Sequence, residues 1–197
     1  MKKGASDTAL LRVRWISLAY LGLGVACALL AANSLGQEAG APAGGPINEF
    51  EINPAVRFLG GLHPFSTHFP IALVVAAFLF ETTGLTTGNK GWATTAFHCL
   101  TLGSSVSLLT VILGLMASEL GPFIGEDAET LWAHRLFGLI SCGLLLLTTF
   151  VAARSRRGEL QGNATLIWGY RALLLLTLLF VLSAALFGSR LTGLAPF

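Results

Sequence analysis

Charge is what this sequence has least of. Only 11% of its 197 residues are Asp, Glu, Lys or Arg, while 54% are hydrophobic; a soluble domain carries about 25% charged residues. A soluble fold of this size cannot hide so much apolar surface behind so few charges. That excludes a soluble enzyme, a disordered tail and a nucleic-acid-binding domain, and leaves an integral membrane protein. Cysteine is also scarce. The three present, Cys27, Cys99 and Cys142, all lie inside long apolar runs, which argues against a disulfide framework. There is no Cys-x-x-Cys-His, so this chain does not itself attach a c-type haem, and there are no cysteine pairs of the zinc-binding kind. Period-2 alternation is missing from the apolar runs, which excludes a transmembrane β-barrel.

What the sequence does have is apolar runs of helical length. A bilayer core needs about 20 such residues, and five stretches qualify: Trp15–Ala32, His68–Thr86, Trp92–Ser118, Leu131–Ala153 and Leu166–Phe187. The expected fold class is an all-α membrane protein, a four-helix transmembrane bundle plus one N-terminal transmembrane anchor. Residues 1–34 form the anchor, 35–61 an outer linker and 62–197 the four-helix domain. The first span also has the basic start and small-residue end of a signal peptide. The stretch 36–61, rich in Gly, Ala, Pro and acids, reads as a mobile surface segment. The short turn Gly88–Gly91 makes the second and third spans an antiparallel hairpin.

The loops orient the bundle. Lys2, Lys3, Arg12, Arg14, Lys90, Arg154, Arg156 and Arg157, eight of the twelve cations, fall on one side. Arg57, Arg135 and Arg190 fall on the other, beside seven of the ten acids. The positive-inside rule puts the N-terminus in the cytoplasm and the C-terminus outside, as expected of a multi-pass protein of the bacterial inner membrane.

Ionisable side chains in membrane spans are costly, so each of the four histidines is a site candidate. His68 opens the second span and His134 the fourth; both spans run inward, so both imidazoles lie at the outer boundary. His63 is outside as well. On a helix, residues four apart share a face, so Ala72 and Ala76 follow His68, and Gly138 with Ser141 or Cys142 follows His134. Small residues beneath each imidazole leave a flat slot, and two neutral histidines on facing helices meet the axial demand of a b-type haem. Phe65, Phe69, Trp132 and Phe137 are available as walls. His63 is the weaker partner: if the helix already begins at Pro64, five residues set it about 140° from His68. A zinc or copper site from His63, His68 and His134 lacks a carboxylate or thiolate at matching spacing. The bland reading is that interfacial histidines merely border the membrane and small residues pack helices. At the inner end, Glu81, His98 and Arg171 lie at similar depth. They read either as a Glu81–Arg171 ion pair or as a proton-handling or quinone-head site with His98 as donor.

The segment LHPFSTHFPIALVVAAFLFE, Leu62–Glu81, resembles the opening of the bacterial predicted-membrane-protein family of unknown function numbered 2231. His63, Pro64, His68, Phe69, Pro70, Ile71 and Ala72 match its first motif. LWAHRLFGL, Leu131–Leu139, resembles the second, through His134, Arg135 and Gly138. The resemblance spans roughly Leu62–Gly193 and implies four spans. Some relatives look fused to, or encoded beside, c-type cytochrome domains, which implies a redox setting. The expectation is therefore a non-catalytic membrane subunit of a respiratory or photosynthetic electron-transfer complex. It would hold haem b near the outer face, with His68 and His134 as the iron ligands, and pass electrons between quinol and a cytochrome. Its partners would be other subunits of that complex and the lipid bilayer, with no nucleic acid. The alternatives are a cofactor-free structural or assembly subunit and a haem-free quinone-binding subunit.

Overall fold

The computed structural model describes residues 53–120, 123–156 and 163–191. The expected anchor over Trp15–Ala32 and most of the expected linker lie outside the described residues. All regular structure among the described residues is helical. A short helix α1, Pro54–Gly61, leads through Leu62 into α2, His63–Thr87. Helices α3, Lys90–Ala117, α4, Glu126–Ser155, and α5, Ala164–Leu191, follow. Four stretches are long and apolar enough to cross a membrane: Pro54–Thr87, Lys90–Ala117, Glu126–Ser155 and Ala164–Leu191.

Local chemistry sets the helix ends. The Asn53 side chain accepts from the Ala55 N–H at 2.9 Å, and Asn89 does the same for Gly91 at 2.9 Å. Gly88, at φ +67°, closes α2 in the left-handed conformation that a side chain would resist. The turn into α3 is therefore only Gly88–Asn89, and α2 and α3 run antiparallel. Helix α4 carries Glu126, Asp127 and Glu129 in its first turn and Arg154 in its last, in line with the helix dipole.

The expected opening of the second span at His68 is corrected. The helical stretch runs from Pro54 and is interrupted only at Leu62, so His63 and His68 lie inside it. The end of the expected mobile linker is α1, packed against α3. A Cβ on Gly60 would stand 2.9 Å from the Ala117 backbone, so the glycine reports a close helix approach and not a loop. Pro54 and Pro64 sit at the first turns of their helices, where a missing N–H costs nothing. Pro70 lies inside α2 and cannot donate to the Ser66 carbonyl. The Thr110 hydroxyl of α3 lies 3.4 Å from that oxygen, while also donating to the Val106 carbonyl at 3.0 Å.

Helix α2 packs along α3, and α4 along α5; contacts of α3 with α4 and of α2 with α5 join the two hairpins. Buried hydroxyls tie the helices together directly. Ser104 and Thr149 are 2.6 Å apart between α3 and α4, and Thr148 and Thr177 are 2.8 Å apart between α4 and α5.

The two hairpins repeat one another. Buried residues of α2 have buried counterparts 71 positions later in α4: Pro70 and Ser141, Val74 and Leu145, Ala77 and Thr148, Glu81 and Ala152. Buried residues of α3 have buried counterparts 74 positions later in α5: Ala96 and Tyr170, Leu100 and Leu174, Gly103 and Thr177, Ser107 and Val181, Thr110 and Ala184. The residue types differ, and the coincidence is partial: buried Ser66, Ser104 and Leu113, for example, correspond to partly buried Phe137, Leu178 and Phe187.

Candidate functional site

His63 and His134, 71 positions apart, sit at equivalent places in the two hairpins. The His63 Nδ1 is 3.0 Å from the Thr110 carbonyl of α3, and the His134 Nδ1 is 2.9 Å from the Ala184 carbonyl of α5. A carbonyl oxygen only accepts, so each Nδ1 carries the proton and donates. Each Nε2 of a neutral ring is then left with its lone pair. One turn further along the accepting helix, each ring lies on a glycine. A Cβ on Gly114 would fall 2.7 Å from His63 Cε1, and one on Gly188 would fall 2.9 Å from His134 Cε1. Only glycine leaves the imidazoles that room.

The two rings meet between the hairpins, their centroids 5.9 Å apart and their planes at 73°. One metal bonded by a nitrogen of each ring at about 2 Å, with about 1 Å more to each ring centre, asks for about 6 Å. Around them is a largely apolar cavity of about 480 Å³, to which α2, α3, α4 and α5 all contribute. That size is typical of a small-molecule site.

The ring that the fold brings against His134 is that of His63. Five residues on a helix turn His68 about 140° away. Its Nδ1 donates to the Pro64 carbonyl of its own helix at 2.8 Å, and its side chain is exposed, although it too lines the cavity. Ala72, on the same face, is exposed as well and floors no slot. Gly138 does line the cavity, with open space where its Cβ would stand. Phe65, Phe69 and Trp132 point outward, while Phe137 stacks on Phe187 at 5.3 Å.

The other end of the bundle holds Glu81. Its carboxylate is buried and accepts from Arg171 Nε at 2.9 Å and from the Tyr170 hydroxyl at 3.1 Å. Arg156 lies 3.9 Å from the same carboxylate and donates to the carbonyls of Ala152 and Ala93, each at 2.9 Å. Its guanidinium stands over the rings of Phe97 and Tyr170, at 5.0 and 5.3 Å. So Glu81 and Arg171 meet, but His98 does not join them: it is exposed, and among the described residues its ring pairs with that of Phe97, at 6.1 Å. His98 is two residues from both Ala96 and Leu100, which are buried, and a two-residue step turns about 200°.

Residues 60–193 match the family described as Predicted membrane protein (DUF2231). The chain belongs to the DUF2231 family. It is a multi-pass membrane protein, and no curated protein or solved structure matches it. The DUF2231 region holds both the imidazole pair and the Glu81 cluster.

Within that DUF2231 region, sequence reasoning missed Arg156 and Tyr170; it placed Gly114 in a small-residue packing stripe and Gly188 in a glycine-containing end, and missed their place beneath the imidazoles. Arg156 reads as one more cation of a basic loop, and Tyr170 was visible only as the neighbour of Arg171. Gly114 and Gly188 show their role only once Thr110 and Ala184, each one turn earlier, are seen to hold an imidazole. Overpacking tests the cradle. Gly188→Ala is expected to destabilise the detergent-purified protein by about 1–3 kcal/mol, whereas Gly143→Ala, with nothing within 4 Å of the added carbon, is not. Equal thermal midpoints for the two variants would mean the His134 ring does not rest on Gly188.

Proposed function

We propose that this protein is an electron-transfer subunit of the bacterial inner membrane, holding one b-type haem between His63 and His134 near the outer face. It passes electrons between membrane quinol and an outer cytochrome. The observation that carries the reading is the matched pair of imidazoles. Each is fixed through Nδ1 by a backbone carbonyl and cradled by a glycine, and they face one another at 5.9 Å in an apolar cavity. Hydrogen bonding at the far ring nitrogen is how proteins hold an imidazole in the tautomer that binds a metal. Two imidazoles leave a bare ion short of ligands. Among the described residues no group of three or more His, Cys, Asp or Glu side chains is disposed to hold one. A porphyrin brings its own four nitrogens and asks the protein for two.

The chain's part in this chemistry is positional. Thr110 and Ala184 keep the proton on Nδ1 and the lone pair on Nε2 of each ring. Gly114 and Gly188 let the rings lie against α3 and α5. The apolar walls keep water away. Haem, when bound, supplies a one-electron redox centre. The split of cations and acids between the loops supports an outer location for this end of the bundle, where a soluble cytochrome could reach it.

The reading is tested with the full chain purified from haem-replete cells. A short-chain quinol is expected to reduce a b-type chromophore, and a soluble c-type cytochrome to reoxidise it. A preparation without a Soret band would overturn the haem, and a chromophore that quinol leaves oxidised would overturn the role with quinol.

A further inference from the structure

The end of the bundle that holds Glu81 carries more positive charge than its carboxylate balances. Among the described residues Lys90, Arg154, Arg156 and Arg171 lie there, and Glu81 is the one acid. Arg156 and Arg171 share that carboxylate, at 3.9 and 2.9 Å, but use their donors differently. Arg156 turns its terminal nitrogens inward, onto the carbonyls of Ala152 and Ala93. Arg171 donates through Nε alone. Its two terminal nitrogens have no hydrogen-bond partner among the described residues, and neither is shut off from the surface of the bundle. The guanidinium stands over the ring of Trp168, at 5.1 Å, and that ring is exposed. Trp168 is three residues nearer the helix end, on the same face. Helix length sets the depth. Helix α5 has 28 residues, about 42 Å, against a hydrocarbon core of about 30 Å. Centred in a bilayer, it extends about 6 Å beyond the core at each end. The Arg171 Cα, about 10 Å from the start of the helix, lies only about 4 Å inside the core. A long side-chain stem carries the charged head across that distance to the phosphate layer.

We propose that Arg171, with Trp168 beside it, binds the phosphate of an anionic phospholipid, of the phosphatidylglycerol class, at this end of the bundle. A guanidinium offers two parallel N–H donors to a phosphate, and the edge between Nη1 and Nη2 is the one that Glu81 leaves open. The indole sits at the headgroup level, where tryptophan anchors membrane helices. The excess of cations over acids selects a headgroup with a net negative charge over a zwitterionic one. On the distribution of charge between the loops, the leaflet concerned is the cytoplasmic one. The site is remote from the imidazole pair and does not depend on the haem reading.

The test uses the full chain, stripped of lipid in a neutral detergent, and reads binding by native mass spectrometry. Short-chain phosphatidylglycerol, phosphatidylcholine of the same chain length and inorganic phosphate are titrated separately. The wild-type protein is expected to bind one phosphatidylglycerol at least about fivefold more tightly than phosphatidylcholine, and inorganic phosphate too weakly to displace it. Arg171→Met should bring the two lipids within about twofold of each other, while Arg190→Gln, at the opposite end of α5, should leave the preference unchanged. Trp168→Leu, a change at an exposed ring, should weaken phosphatidylglycerol binding about threefold, and it decides the matter if Arg171→Met does not fold. A wild-type protein without preference would overturn the proposal. So would an Arg171→Met or Trp168→Leu protein that binds as the wild type does. Displacement of the lipid by inorganic phosphate would overturn the lipid as the occupant.

Discussion

Glu81→Gln is expected to be the most damaging single change at its end of the bundle, with a loss of about 3–5 kcal/mol. It leaves two guanidiniums, Arg156 and Arg171, in or beside the apolar interior without the carboxylate that both approach, at 3.9 and 2.9 Å. Arg171→Met should cost less, because Glu81 keeps Arg156 nearby and the Tyr170 hydroxyl as a donor. Tyr170→Phe, which removes one hydrogen bond, should cost about 1 kcal/mol. The diagnostic protein is the double variant, Glu81→Gln with Arg171→Met. It removes one of the two stranded guanidiniums along with the carboxylate and should be more stable than Glu81→Gln alone, with a coupling of about 1–3 kcal/mol in a double-mutant cycle. Unfolding in mixed micelles measures all four. Losses that add to within about 0.5 kcal/mol would mean that the pair does not interact, and Glu81 would then be better read as a proton-transfer group.

The cluster also illustrates what was legible in the sequence. The four spans of the DUF2231 region were, because 28 to 34 residues of apolar helix leave a hydropathy signal that no local detail obscures. Depth was legible too: counting from the loops puts Glu81 and Arg171 level, and they meet. Helical phase was not. His98 has the right depth but lies opposite the buried Ala96 and Leu100. That the ring against His134 is that of His63 has a related cause. The five-residue phase difference was plain, but which of the two imidazoles faced inward depended on where the helix started. With Leu62 the only interruption after Pro54, α2 presents His63, Ser66, Pro70, Val74 and Ala77 to its neighbours. The repeat was hidden for another reason. It is a repeat of buried positions, and pairs such as Glu81 with Ala152 or Ala96 with Tyr170 share no chemistry that a comparison of residues would detect.

The second large effect concerns the imidazole pair and is the most direct test of the account. The full-length protein and its His63→Ala, His134→Ala and His68→Ala variants, purified from haem-replete cells, are compared by absorption and low-temperature electron paramagnetic resonance. If the proposed haem is bound, loss of either imidazole would remove one of the two ligands that the protein gives the iron, and the partner ring alone would not keep it low-spin. Wild type and His68→Ala are expected to show one low-spin bis-imidazole haem per chain, and His63→Ala and His134→Ala to show none. A His63→Ala protein with the wild-type low-spin signal, or a His68→Ala protein without it, would contradict the account.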